Sequence, residues 1–170
     1  MKTTKLNPKE YISGLSTSFQ ACANEKDRPY MISYMKGRYD YFGVKSTPRR
    51  EAVKDFIAIH GLSSPEDWKL YCKEAWEAEQ RELQYFSMEY CAKYKKHWSK
   101  TDMVFFEYLI TTKSWWDTVD YLASNIVGVY FQKFPDEIKP VTYQWNLSEN
   151  MWLNRTALIF QLKYRGDTDF

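Results

Sequence analysis

Apolar residues recur at helical spacing along nearly the whole chain. Tyr11, Leu15, Phe19 and Cys22 mark one stripe over 5–23, Lys26-Asp27-Arg28-Pro29 interrupts it, and a second helix is predicted over about 29–37. After an aromatic turn, Pro48 is placed to open a helix capped by Thr47, carrying Val53, Phe56, Ile57 and His60 and stopping at Gly61. Ser64 is the expected cap of the next helix, with Pro65 first in it and Trp68, Tyr71, Cys72 and Trp76 on its apolar face. From Glu79 a further stripe runs through Leu83, Phe86, Tyr90 and Tyr94. Thr101 or Asp102 opens a helix through Phe105, Phe106 and Leu109, Ser114 the one after it, and Pro135 and Ser148 the last two.

Eight or more helices with short links and no strand pattern predict an all-α fold. Helical hairpins repeating at about 35–45 residues fit an α-solenoid, a superhelix of HEAT-like repeats. Six Gly and six Pro are too few for a sandwich or barrel with frequent turns. A chain of 170 residues is one domain, 1–170. The ending Arg165-Gly166-Asp167-Thr168-Asp169-Phe170 reads as a helix stop followed by a new cap, the pattern expected of a chain lacking its last repeats.

Composition narrows the function classes. Aromatics make up 18% of the residues, which excludes disorder, and no apolar run approaches the roughly 20 residues of a membrane span. Cys22, Cys72 and Cys91 form no CxxC pair and have only His60 and His97 beside them, so the expectation is a cytoplasmic protein with no metal site. The net charge is only +2, yet residues 28–54 hold Arg28, Lys36, Arg38, Lys45, Arg49, Arg50 and Lys54 against Asp40 and Glu51. A local basic patch on a near-neutral chain points to a polyanion met by one face. Aromatics interleave these cations from Tyr34 to Lys45, a pattern that suits nucleic-acid binding and also a solvated helix face with aromatics buried beneath it. A lesser basic run, Lys93 to Lys100, extends the patch or serves helix ends.

The segment Lys113-Ser114-Trp115-Trp116-Asp117-Thr118-Val119-Asp120 carries the most chemistry. Ser114 and Asp117 read as a capping box, which places Trp115, Val119, Leu122 and Ile126 on the buried stripe and Trp116 with Asp120 together on its flank. An indole and a carboxylate one turn apart suit a sugar; they equally suit a packed ring beside a solvated charge. In the last helix Trp152, Leu153, Ala157, Leu158, Ile159, Phe160 and Leu162 cover almost the whole circumference, which predicts an inner helix, and Arg155 lies among them. There it needs an anion, either Asp120 in a structural bridge or a phosphate at a site.

These runs resemble the AlkD-type DNA alkylation repair glycosylases: Tyr34-Met35-Lys36 through Phe42-Gly43-Val44, Arg49-Arg50, the Lys113–Asp120 segment, and Trp152-Leu153-Asn154-Arg155 through Tyr164, from about residue 30 to the end. The resemblance implies a HEAT-like solenoid cradling duplex DNA and hydrolysing the N-glycosidic bond of cationic alkylated purines such as N3-methyladenine and N7-methylguanine, without a cofactor. It implies catalytic roles for Asp120, Trp116 and Arg155. DNA contacts are expected from Tyr34, Lys36, Arg38, Lys45, Arg49, Arg50 and Lys113, with Lys45 standing where relatives usually carry Gln. The expected partner is double-stranded DNA with alkylated bases, met by a monomer. The alternatives are a non-catalytic HEAT-like scaffold for DNA or protein, and an inactive truncated glycosylase.

Overall fold

The computed structural model describes residues 6–168. Among them the regular structure is helical, with one isolated bridge between Asp40 and Gln80 and no strand, so the fold class is all-α as expected. None of these helices is long and apolar enough to cross a membrane. The chain divides into two compact units, 1–90 and 91–170.

In the first unit, α1 (Pro8–Ala21) starts at Asn7, whose side chain accepts from the Glu10 amide while Glu10 answers to the Asn7 amide. The predicted start at residue 5 lies outside the described residues. Tyr11, Leu15 and Phe19 are buried against α3 (Ser46–His60) and α4 (Trp68–Glu77). The short α2 (Arg28–Tyr34) ends earlier than predicted, because Lys36 and Gly37 take positive φ of 54° and 70°. Lys45, not Thr47, stands at the cap of α3, while Gly61 stops it as predicted, with φ 73° and its amide on the Ile57 carbonyl. Ser64 and Pro65 open a turn ahead of α4 rather than the helix itself; Ser64 Oγ donates to Asp67 at 2.6 Å. The stripe of α5 (Arg81–Lys93) is buried at Leu83, Phe86 and Tyr90.

The loop before α3 is organised by a buried anion. The amides of Phe42, Gly43 and Val44 donate to the Glu82 carboxylate at 3.0–3.1 Å. Burial pushes the Glu82 carboxyl above its usual value, and the three amides partly offset that. Gly43 (φ 93°) is required there, since a Cβ would meet the Asn24 carbonyl oxygen at 2.6 Å.

The second unit contains α6 (Met103–Thr111), α7 (Trp116–Tyr121), a π-helical segment (Leu122–Val127) that runs straight into α8 (Gly128–Lys133), α9 (Ile138–Leu147) and α10 (Met151–Ile159). Short 3₁₀ turns, Pro135–Glu137 among them, make up the links. So Pro135 opens a 3₁₀ turn rather than α9, and Asn150, not Ser148, caps α10 by accepting from the Trp152 amide at 2.9 Å. Gly128 is where the chain after α10 crosses closest: a Cβ there would lie 2.4 Å from the Phe160 carbonyl oxygen, and Tyr164 donates to the Gly128 carbonyl at 2.6 Å.

Candidate active site

Chain reversal between α6 and α7 sets the site's first two side chains. Thr112 and Ser114 return their hydroxyls to the carbonyls of Tyr108 and Ile110, Lys113 takes φ 48°, and α7 begins at Trp116 with Trp115 at the cap position, one residue later than predicted. Val119, Leu122 and Ile126 form the buried stripe; Trp115 is only half-buried. Trp116 and Asp120 stand on the flank, the indole 44% exposed and the carboxylate side chain 42%. Just beyond Asp120 the helix widens into its π segment, where Ser124 Oγ donates to the Asp120 carbonyl (2.9 Å) and Asn125 Nδ2 to the Tyr121 carbonyl (3.0 Å).

Arg155 comes from α10. Asn154 fixes the preceding turn, its amide donating to the Trp145 and Ser148 carbonyls, while Thr156, Ala157 and Phe160 bury the inner face of the helix and its 3₁₀ extension. Leu158 and Leu162 are exposed, so α10 is not the inner helix its apolar circumference predicts; one face alone is covered. Arg155 meets Asp120 fork to fork, Nε to Oδ1 at 2.6 Å and Nη2 to Oδ2 at 2.9 Å. Its guanidinium carbon lies 4.6 Å from the centre of the Trp116 ring. Hydrogen bonding to Asp120 raises the Arg155 pKa above its ordinary value. Two more indoles complete the cluster: Trp152 meets Trp116 edge-on at 5.0 Å, and Trp115 lies 6.2 Å from Trp152 and 6.4 Å from Trp116. An anion, a cation and a ring thus share one partly open patch.

The family model for DNA alkylation repair enzymes matches residues 15–170. The chain belongs to that family. In fold it is similar to the solved structure of a predicted DNA alkylation repair enzyme from Enterococcus faecalis, at 23% identity and a TM-score of 0.76 over 86% of this chain and 68% of that one. That likeness places the all-α fold in the solenoid class expected. None of the curated proteins matches the chain.

In this member of the DNA alkylation repair family the basic residues separate into different environments. Tyr34, Lys36 and Arg38 are exposed at the end of α2 and the turn after it. Lys45 is paired with Asp27 at 2.8 Å, and Arg28 holds Asp40 with its fork. Arg49, expected as a phosphate contact, is buried, gives both guanidinium branches to Glu89 at 2.8–2.9 Å and lies over the Tyr85 ring. Its neighbour Arg50 is exposed, 3.4 Å from the same carboxylate. In the second unit Lys113 is half-buried beside the start of α7. Trp152 escaped the sequence reading as a site residue, although its place three residues before Arg155, on the same face, was the available signal.

Proposed function

We propose that the protein is a monomeric DNA glycosylase that hydrolyses the N-glycosidic bond of cationic alkylated purines, N3-methyladenine or N7-methylguanine, in duplex DNA. The observation that carries this reading is the Asp120 carboxylate, held by Arg155 beside the Trp116 ring on a patch open to solvent. An alkylated purine already bears positive charge, so it departs as a neutral base when the C1′–N bond breaks toward it. The charge passes to the deoxyribose, water adds at C1′, and the released proton goes to solvent. Such a reaction needs no strong acid at the base; it needs a fixed anion at the sugar.

Asp120 fits that role. Each of its oxygens accepts one bond from Arg155 and keeps a lone pair for a water or for the electron-poor sugar. The two-point contact fixes the carboxylate plane before substrate arrives, which is how preorganised electrostatics lowers a barrier. Trp116 is 44% exposed, so part of its ring is within reach of a cation. The exposed cations Lys36, Arg38 and Arg50 supply phosphate contacts, and in this reading the helical pairs are HEAT-like repeats of one domain.

Duplex DNA containing N7-methylguanine provides the test. Free methylated base should appear with the wild-type chain, and Asp120→Asn should slow its release by about 10²- to 10³-fold. No release from wild type, with salt-sensitive DNA binding retained, would leave a DNA-binding scaffold.

A further inference from the structure

The π-helical segment opens a second, separate feature in the 91–170 unit. A cleft of about 360 Å³ lies beside it, lined by Tyr121 from the end of α7, Ser124 and Asn125 from the segment, Gln132 from α8, Lys95 and Lys163, with no carboxylate in its lining. Asp120, Trp116 and Arg155 are not among the lining residues.

Lys163 is held by its ammonium and Lys95 by its backbone. Asn125 spends its amide hydrogens on the Tyr121 carbonyl and Ser124 Oγ, which turns Oδ1 toward Lys163, whose ammonium donates to it at 2.5 Å. Two of the three ammonium donors remain for a ligand. Lys95 sits in a 3₁₀ turn (Lys95–His97) tied down by another cation: Lys133 Nζ donates to the carbonyls of Lys95, Lys96 and Trp98 at 2.7–3.3 Å. Two positive charges thus line a cleft that also carries the Gln132 amide and has no carboxylate in its lining.

We propose that this cleft binds a phosphate group. Ammonium point charges with neutral donors suit a tetrahedral anion with several acceptor oxygens, whereas a carboxylate ligand would favour an arginine fork. A phosphodiester of a DNA strand and a free phosphate compound share this chemistry. The inference goes beyond the glycosylase reading and does not rest on it.

The test uses the full chain, undamaged duplex DNA and inorganic phosphate, so it is blind to base release. Lys95→Gln and Lys163→Gln, alone and together, change exposed side chains and should leave the thermal midpoint unmoved. If DNA supplies the phosphate, the slope of log affinity against log salt falls by about 0.9 in the double variant, as one phosphate contact is lost, and by part of that in each single variant. Lys96→Gln, beside the cleft but outside its lining, leaves that slope unchanged. If a free phosphate compound is the ligand, DNA binding stays the same, and inorganic phosphate shifts the Asn125 side-chain amide resonances in wild type but not in the double variant. An unchanged slope together with unmoved Asn125 resonances would overturn the proposal. So would a slope that falls as much for Lys96→Gln as for Lys95→Gln.

Discussion

Arg49 and Arg50 adjoin in sequence and do different work in the fold. The first is buried with both branches on Glu89; the second is two-thirds exposed. Arg49→Gln leaves a mostly buried carboxylate without its main partner and should cost about 3 kcal/mol of stability, the range for breaking such a pair. Arg50→Gln should leave the melting temperature unchanged and weaken DNA binding, with a salt slope lower by about 0.9. Thermal melts and salt-dependent DNA titrations of the two variants separate these outcomes. Burial alone would raise the Glu89 carboxyl, but the hydrogen bonds and charge of Arg49, then of Arg50, outweigh it and hold the carboxyl below its usual value. A carboxyl depressed by folding contributes stability that is complete above the unfolded value, about 4.3, and is lost as pH falls through the lower folded one. Arg49→Gln should therefore flatten the acid limb of the stability curve. Sequence showed both arginines as equivalent cations, since nothing in the local pattern reveals that Glu89, forty residues on, neutralises one of them.

At the scale of elements, the stripes were legible and the ends were not. Tyr11, Leu15 and Phe19, then Trp68, Tyr71, Cys72 and Trp76, then Val119, Leu122 and Ile126 are buried where period 3.6 puts them. Starts shifted by a residue or more wherever several cap-forming residues stood together, as at Ser46-Thr47, Ser64 and Ser114-Trp115. Two features had no signal. The π turn adds a residue to the helical register without any composition of its own, and the exposure of Leu158 and Leu162 depends on what covers them, which apolarity does not state. Gly128 joins these elements, because only a residue without Cβ lets the Phe160 carbonyl approach α8. Gly128→Ala should force the segment after α10 outward, destabilise the protein by about 1–3 kcal/mol as overpacking does, and lower base release in proportion to the displacement of Arg155. Chemical denaturation alongside a release assay checks it.

Across the whole molecule, the charge pattern gave the kind of partner more readily than the contacts. Of the seven cations between residues 28 and 54, Arg28, Lys45 and Arg49 are engaged with Asp40, Asp27 and Glu89, so the basic excess seen in the sequence is partly internal bookkeeping. The Asp120–Arg155 pairing was legible as one of two alternatives, and the bridge that ties α7 to α10 leaves both side chains partly exposed. Tryptophan is divided in the same way. Of seven indoles, Trp68, Trp76, Trp98 and Trp145 are buried in the core, whereas Trp115, Trp116 and Trp152 form one cluster in which Trp116 meets the Arg155 guanidinium. The protein should therefore emit as two optical populations, which emission spectra with a solvent quencher would resolve. A cationic nucleotide settling on Trp116 should quench the longer-wavelength one and spare the other, making intrinsic fluorescence an unlabelled gauge of occupancy, with Trp116→Phe as the silent control.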